Sequence, residues 1–215
     1  MVSIWKKVVM GLTGLFLISF LVVHCGINSL IFLNDGGKTF EVAGHFMGTN
    51  PVIRIMEIGL VIGFIVHIID GFVLWSQNSK ARPKKYAAKG ASANSSWYSR
   101  SMGLLGTLLL LFLIMHTAHF WIPNRGSQFM TGHEIDLYAR MKLIFSEWWI
   151  VVLYVLGCFS LFWHLLHGFK SAFQSLGLNH SKYNPAIRFC GTAFAIVIPF
   201  VFALMPIVMF AGIIK

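Results

Sequence analysis

The stretch IGLVIGFIVHIIDGFVLW, residues 58 to 75, decides the fold class of this chain. It is almost entirely apolar and lacks the two-residue alternation of a membrane barrel strand. At about 1.5 Å per residue, a helix of this length nearly crosses the ~30 Å hydrocarbon core of a bilayer. The stretch therefore predicts a membrane-spanning helix with two polar side chains, His67 and Asp70, at membrane depth.

Four further segments have the same character, and the composition agrees with them. The chain is 57% hydrophobic and 11% charged, whereas a soluble domain carries about 25% charged residues. We expect an all-α integral membrane bundle of five transmembrane helices, with residues 1–215 forming a single domain. The five predicted spans are residues 8–33, 52–75, 102–122, 147–170 and 188–214.

The basic residues predict the orientation of the bundle. The first apolar run is too long for a signal-peptide core and lacks a small-x-small cleavage motif, so we expect a retained helix. A cytoplasmic N-terminus places most of the lysines and arginines inside, as the positive-inside rule favours. The 11 inner residues are Lys6, Lys7, Lys80, Arg82, Lys84, Lys85, Lys89, Arg100, Lys170, Lys182 and Arg188, and the 6 outer residues are Lys38, Arg54, Arg125, Arg140, Lys142 and Lys215.

The acidic residues sharpen this charge asymmetry. Asp70 alone lies toward the inner side, and the other six lie toward the outer side: Asp35, Glu41, Glu57, Glu134, Asp136 and Glu147. The basic inner face suits anionic lipid headgroups or an acidic protein partner. Nucleic acid is not an expected partner, because most of the basic residues flank membrane helices.

The loops and cysteines give smaller expectations. Residues 77–100 should form an exposed, basic inner loop, and residues 171–185 a second inner loop that ends at Pro185. The outer loop 34–51 contains a turn signal at residues 35–37, and the outer loop 123–143 has an amphipathic part suited to a short surface helix. The three cysteines lack C-x-x-C spacing and should be buried small residues: Cys25, Cys158 and Cys190.

Four histidines lie at two matched depths. His24 is 16 residues past position 8 and His116 is 14 past position 102, so both lie more than about 20 Å from the inner side. His67 and His164 lie within about 12 Å of it. Ionisable residues at membrane depth are usually functional, although each alone could be a structural histidine that hydrogen-bonds to a neighbouring helix.

Two imidazoles at one level can occupy both axial positions of a haem iron. Gly63 precedes His67 by four residues and Gly157 precedes His164 by seven, so both glycines could leave room for a porphyrin. Close helix packing through the Gly59-x-x-x-Gly63 pattern is the alternative reading. We expect the second nitrogen of each ligand to donate to the carbonyl four residues earlier.

Other cofactors fit less well. The histidine pairs are too far apart in depth for a four-ligand zinc site, and iron–sulfur clusters lack their cysteines. His119 and His167 each follow a proposed ligand by three residues and compete with it for the assignment. We favour polar interface roles for both, such as contact with haem propionates or quinone, and a solvated histidine at a helix end is the alternative.

At this point the chain resembles a known family, the di-haem, five-helix cytochrome b subunit of succinate dehydrogenases and fumarate reductases, especially the form in menaquinone-using bacteria. The similarity covers nearly the whole chain, and the order and spacing of the four histidines are its specific part. The matching stretches are LTGLFLISFLVVHCGIN, AGHFMGTNPVIRIMEIGLVIGFIVHIIDG, SMGLLGTLLLLFLIMH and LYVLGCFSLFWHLLHGFKSAF.

The resemblance implies two haem b groups, an outer haem on His24 and His116 and an inner haem on His67 and His164. It also implies a flavoprotein subunit and an iron–sulfur subunit on the cytoplasmic face of a bacterial inner membrane. The chain would anchor these subunits and pass electrons from iron–sulfur centres to menaquinone, without succinate chemistry of its own. The loop histidine His45 fits the family pattern, whereas Asp70 departs from it.

Quinone reduction needs protons, and Glu41, His45 and Glu57 lie toward the outer side. An interface carboxylate paired with Arg54 is the alternative reading of Glu57. Asp70 could pair with a basic side chain or with His167, or act in a proton relay.

Two other functions stay open. The chain could be a haem-free anchor or transporter whose histidines line a polar path, although no inverted repeat or broken helix is evident. It could also be the cytochrome b subunit of another oxidoreductase, such as a hydrogenase.

Overall fold

The computed structural model describes residues 4–80 and 96–214. Most of the predicted inner loop, with Arg82, Lys84, Lys85 and Lys89, lies outside the described residues, as does Lys215. All regular elements in the described ranges are helices.

The helices alternate between long membrane-crossing segments and short connecting ones. A 3-10 turn at Leu30–Leu33 extends α1, and a π-helical turn at Thr117–Trp121 joins α5 to α6. The α-helices are α1 Ile4–Ser29, α2 Lys38–Thr49, α3 Pro51–Lys80, α4 Trp97–Arg100, α5 Met102–His116, α6 Ile122–Thr131, α7 Leu137–Phe145, α8 Trp148–Ser175 and α9 Asn184–Phe210.

The predicted helical membrane bundle is confirmed. Five helices among the described residues are long and apolar enough to cross a membrane, each at the position of a predicted span. They are longer than predicted at several ends, whereas α9 ends at Phe210 rather than at residue 214. The five candidate spans are Ile4–Leu33, Pro51–Lys80, Met102–Thr131, Trp148–Ser175 and Asn184–Phe210.

The outer connections contain more helix than the sequence indicated. The predicted turn is present, with positive φ at Asn34, Gly36 and Gly37. The remainder of residues 34–51 was predicted to be a loop, and this was wrong, because α2 fills most of it. The predicted short helix in residues 123–143 is confirmed by α7, and the end of α6 also lies in this segment.

The ends of the long helices meet in two groups. A Cβ added to Gly71 near the end of α3 would lie 3.6 Å from the methyl carbon of Met10 near the start of α1. Gly191 at the start of α9 likewise faces the ring of Phe169 in the last third of α8. Neighbouring spans are therefore antiparallel, and we call the end that contains the start of α1 the basic end and the opposite one the acidic end.

Helix α8 lies at the centre of the bundle and packs against α1, α5 and α9. The largest buried apolar cluster lies toward the acidic end and includes Ile31, Tyr138, Phe145, Tyr154 and Met205. Most of the long apolar side chains of α3 are exposed, as expected for a helix that faces lipid.

The cysteine prediction is correct for two residues and wrong for the third. Cys25 and Cys158 are buried, as expected of small apolar side chains. Cys190 is exposed, because its side of α9 faces away from the bundle together with Phe189. The apolar character of its segment reflects lipid contact rather than burial in protein.

Candidate functional site

The structure brings His24 of α1 and His116 of α5 together. Their ring centroids are 5.8 Å apart and their planes meet at 86°. Aromatic rings surround the pair. Phe20 stacks on His24 at 5.1 Å, Phe112 stacks on His116 at 5.7 Å, and Phe202 of α9 lies 5.5 Å from His24. We call His24 and His116 the outer pair.

His67 of α3 and His164 of α8 form a second pair nearer the basic end. Their ring centroids are 6.3 Å apart and their planes meet at 64°. Gly14 of α1 lies beside this pair, and a Cβ added there would be 3.6 Å from Cε1 of His67. We call His67 and His164 the inner pair. The described residues contain no group of three or more potential metal ligands, so each site offers two imidazoles.

The ring separation at both pairs suits two imidazoles on opposite sides of one metal. With nitrogen–metal bonds of about 2.0 Å, such an arrangement places the ring centroids about 6 Å apart. The observed 5.8 Å and 6.3 Å agree with that spacing. Two histidines in direct hydrogen-bond contact would have ring centroids about 5 Å apart. The spacing of each pair is therefore compatible with two imidazole ligands to one metal, and it also lies within the range of ordinary aromatic contacts.

A threonine fixes the tautomer of one inner-pair histidine. The hydroxyl of Thr13 donates to the carbonyl oxygen of Val9 at 2.8 Å, and its oxygen lies 3.1 Å from Nδ1 of His67. A hydroxyl has one hydrogen, so the Thr13 oxygen accepts a hydrogen bond from Nδ1 of His67. This leaves Nε2 of His67 unprotonated, which is the form that binds a metal.

The outer pair has a different arrangement. The amide nitrogen of Asn28 donates to the carbonyl oxygen of His24 at 2.7 Å and lies 3.3 Å from Nδ1 of the same histidine. In this position Nδ1 accepts, and the ring proton sits on Nε2. Ligation through Nε2 of His24 would need the Asn28 amide to turn away from the ring, at the cost of about one hydrogen bond.

The prediction that each paired histidine donates to the carbonyl oxygen four residues earlier is wrong. Thr13 of another helix takes that place for His67. The Nδ1 atoms of His116 and His164 are buried and have no hydrogen-bond partner within the described part of the chain.

The two candidate pocket glycines lie against phenylalanine rings. A Cβ at Gly63 would lie 3.0 Å from the ring of Phe16, and one at Gly157 would overlap the ring of Phe112. Both glycines therefore allow close helix contact beside the histidine pairs. A porphyrin bound at either pair could use the space beside these glycines only if the rings of Phe16 and Phe112 moved.

His119 lies next to the outer pair, on the acidic-end side. Its Nδ1 is 3.0 Å from the hydroxyl of Tyr154, and the two rings are stacked with an angle of 8°. His119 lies within the π-helical turn Thr117–Trp121 that follows α5, and Arg140 donates to the carbonyl oxygen of His119 at 2.9 Å. π-helical turns are rare and often lie at functional sites.

The polar residues near the inner pair are less connected. His167 contacts the ring of Tyr98 at 6.5 Å. The expected pairing of Asp70 with a basic side chain or with His167 is absent among the residues described, where no ion pair includes Asp70. One carboxylate oxygen of Asp70 is buried without a hydrogen-bond partner in residues 4–80 and 96–214.

Glu57 is the centre of a charged network at the acidic end. Its carboxylate pairs with Arg54 at 2.6 Å and with Arg125 at 2.7 Å, and it accepts a hydrogen bond from Nε1 of Trp121 at 2.5 Å. The expected pairing with Arg54 is present, but Arg125 of α6 is the more buried partner, with 19% of its side chain exposed against 43% for Arg54. The network joins α3 to α6.

The network continues to His45 through side chains of three segments. Arg125 donates to Gln128, and the Gln128 amide donates to Glu134 at 2.7 Å. The other carboxylate oxygen of Glu134 lies 2.8 Å from Nδ1 of His45. Glu57 and His45 are thus connected through hydrogen bonds.

Glu41 has no place in this network. Its carboxylate accepts a hydrogen bond from the backbone nitrogen of Tyr138 at 2.6 Å and so ties α2 to the start of α7. Burial raises the pKa of the Glu41 carboxyl, and the Tyr138 hydrogen bond opposes this effect only in part.

A cavity of about 600 Å³ opens beside the Glu57 network. Apolar side chains of α3 and α6 line one part of it, including Ile58, Val61 and Phe129. Arg54, Glu57 and Gln128 line another part. The cavity can therefore hold an amphipathic molecule with its polar end at the carboxylate.

Sequence reasoning did not identify several residues of this site. Thr13, Asn28 and Tyr154 were not singled out, because a single polar side chain in an apolar run does not reveal which helix it faces. Gln128 and Glu134 were part of a predicted outer loop, but their link to Glu57 depends on tertiary structure.

The chain was compared with known proteins at three levels. No protein-family model, no curated protein and no solved structure matches it.

Proposed function

We propose that this chain is the membrane-anchor and electron-transfer subunit of a succinate:quinone oxidoreductase. In this proposal it holds two haem b groups and passes electrons between an iron–sulfur partner and menaquinone. A flavoprotein subunit and the iron–sulfur subunit dock on the cytoplasmic face of a bacterial inner membrane. The chain itself carries out no succinate chemistry.

The observation that supports this proposal is the arrangement of the histidines in two pairs. Each pair joins two different spans, with ring centroids 5.8 Å and 6.3 Å apart. Four unrelated structural histidines would not be expected to form two facing pairs at two levels of the bundle. The resemblance described from the sequence supplies the choice among oxidoreductases.

Each side chain then has a defined part. His24 and His116 would hold the outer haem, and His67 and His164 the inner haem. When bound, a haem supplies one-electron chemistry by changing the oxidation state of its iron. Thr13 keeps the proton of His67 on Nδ1, and the phenylalanines around the outer pair exclude water from it.

The acidic-end cavity is the proposed place of quinone reaction. A quinone has an apolar body and two carbonyl oxygens, which suits a cavity with apolar walls and a carboxylate–arginine network. Arg125 and Trp121 orient the Glu57 carboxylate. The titratable groups of this network are Glu57 and the His45–Glu134 pair; Arg125 and Gln128 hold them in one network but do not themselves relay protons.

The deciding experiment is the haem content of the purified complex. The complex should show b-type bands in a dithionite-reduced minus oxidised spectrum and contain two haems per chain. His67→Ala and His164→Ala should each remove the same spectral component, and His24→Ala and His116→Ala the other one. The histidines His133 and His180, which lie outside the spans, provide matched controls whose replacement should leave both components in place.

The rivals predict other results. A complex that assembles normally but is colourless would show that the chain is a haem-free anchor or transporter. Two haems with hydrogenase subunits co-purified would assign the chain to another oxidoreductase. Loss of the same component on replacing a histidine of the outer pair and a histidine of the inner pair would contradict the proposed pairing.

A further inference from the structure

A second cavity lies at the basic end, far from the Glu57 network. It has a volume of about 210 Å³ and lies between the last turns of α8 and the first turns of α9. Five polar side chains line it: Lys170, Gln174, Asn179, Asn184 and Arg188. They belong to α8, to α9 and to the loop that joins them, so the fold brings them together.

Among the described residues, no acidic side chain lines this cavity. Neither Lys170 nor Arg188 forms an ion pair within the described part of the chain. Of the seven acidic residues, only Asp70 belongs to the basic end, and Asp70 is not among the lining residues. Two cations beside three amide side chains form a site for a small anion with several acceptor oxygens.

The same cavity has apolar walls and an apolar approach. Phe173, Leu178 and Ile187 line it together with the polar groups. Phe189, the residue after Arg188, is 76% exposed, and Leu178 is 55% exposed. Phe189 lies on α9, which is long and apolar enough to cross a membrane, and Leu178 lies in the loop just before it. A ligand with a phosphate group and acyl chains would satisfy both parts of the surface.

We propose that the cleft between α8 and α9 binds the phosphate headgroup of an anionic phospholipid. The guanidinium of Arg188 and the ammonium of Lys170 contact the phosphate oxygens, and the amides of Gln174, Asn179 and Asn184 donate to the remaining headgroup oxygens. The acyl chains lie along Phe189 and the exposed side of α9. This site does not depend on the haem ligands or on the function proposed above.

The test measures lipid binding to the intact chain. The full-length protein, purified in detergent with any subunits that accompany it, is titrated with phosphatidylglycerol or phosphatidylcholine, and bound lipid is counted by native mass spectrometry. We expect phosphatidylglycerol to bind in preference to phosphatidylcholine. The double variant Lys170→Gln/Arg188→Gln should weaken phosphatidylglycerol binding by about tenfold or more, because two charge-assisted contacts are lost.

Lys182→Gln is the matched control. Lys182 lies in the same loop and carries the same charge, but it is outside the cavity and faces the ring of Tyr183 at 5.6 Å. Its replacement should change phosphatidylglycerol binding by less than about twofold. If the double variant does not remain folded, as judged by circular dichroism and gel filtration, Arg188→Lys keeps the charge but removes the planar fork and should give an intermediate loss.

Three results would overturn the proposal. Equal loss in the Lys182→Gln control would show a diffuse charge effect rather than a built site. If inorganic phosphate displaced bound phosphatidylglycerol as effectively as unlabelled phosphatidylglycerol does, the cavity would be a site for free anions. A variant that loses a co-purifying subunit but keeps its lipid would show that the cavity docks an acidic protein surface instead.

Discussion

The Thr13 hydroxyl on α1 lies 3.1 Å from Nδ1 of His67 on α3 and links these helices at the level of the inner pair. The hydroxyl hydrogen is directed to the carbonyl oxygen of Val9, so the oxygen faces the imidazole as an acceptor. This contact is the only hydrogen bond to a paired histidine from another helix among the described residues. It therefore gives a specific means of testing the inner pair.

Replacement of Thr13 by valine should weaken ligand binding at the inner pair. Valine has nearly the same shape but no acceptor, so Nδ1 of His67 would lose the group that holds its proton. Loss of such an outer contact lowers metal affinity by about 10–100-fold. Under the proposed function, in which this pair holds a haem, we expect the Thr13→Val complex to lose the inner spectral component on dilution or mild heating, followed as the haem-to-protein ratio over time.

Thr13→Ser is the control, because it keeps the hydroxyl and should keep the component. The outer component should persist in both variants. If Thr13→Val released the outer component instead, the assignment of His67 to the inner haem would be wrong.

Gly157→Ala should destabilise the bundle through the ring of Phe112. A Cβ at this position would overlap that ring, so either the phenylalanine or the backbone of α8 must move. Overpacking of this kind costs about 1–3 kcal/mol. We expect a lower midpoint of thermal unfolding in detergent, together with an altered outer pair, since Phe112 stacks on His116.

Gly168→Ala on the same helix provides the comparison. A Cβ there would meet no atom within 4 Å, so the variant should unfold at or slightly above the wild-type midpoint. Equal midpoints for Gly157→Ala and Gly168→Ala would mean that the contact with Phe112 relaxes without cost.

The spans could be predicted from the sequence because the bilayer imposes one strong requirement on each of them. Lengths and apolar runs alone located all five, with errors at the ends that reach nine residues for the third span, predicted to end at residue 122 and ending at Thr131. The depth of a histidine also follows from its distance along a helix, which is why the histidines at equal depth could be grouped in advance. Helix α2 was missed because residues 38–49 carry no long apolar run and follow a turn signal.

Contacts around the helix axis could not be predicted in the same way. The sequence gives the depth of Thr13 and Asn28 but not the direction that either one faces. The connection from Glu57 to Arg125 spans 68 residues and depends on the π-helical turn between α5 and α6. No pattern of single residues indicates such a turn, so only Arg54, three residues from Glu57, could be proposed as a partner.

Glu57→Ala should destabilise the acidic end more than Arg54→Gln does. Removal of the carboxylate leaves Arg125, with 19% of its side chain exposed, without its counter-ion. For a partly buried pair we expect a loss of about 1–3 kcal/mol, seen as a lower thermal midpoint. Arg54 is 43% exposed and its replacement leaves the Glu57–Arg125 pair intact, so its effect should be much smaller. A larger effect of Arg54→Gln would mean that Arg54, rather than Arg125, is the main structural partner of Glu57.

Glu41 should give the chain a distinct pH dependence. Burial raises the pKa of its carboxyl above the ordinary value of 4.5, with the Asp136 charge adding to this effect. The folded protein then binds the proton more tightly than the unfolded chain, so the free energy of unfolding falls as the pH rises from 4.5 through the raised pKa.

The measurement compares wild type with Glu41→Gln, which keeps an oxygen for the Tyr138 backbone nitrogen and cannot ionise. The thermal midpoint of the wild type, relative to this variant, should fall between pH 4.5 and neutral pH. Asp35→Asn is a control of opposite sign, because hydrogen bonds from Thr39 lower the pKa of Asp35. The thermal midpoint of the wild type, relative to Asp35→Asn, should therefore fall only as the pH drops below 3.8. A wild-type midpoint that rises against Glu41→Gln over the first interval would mean that the Tyr138 hydrogen bond outweighs burial.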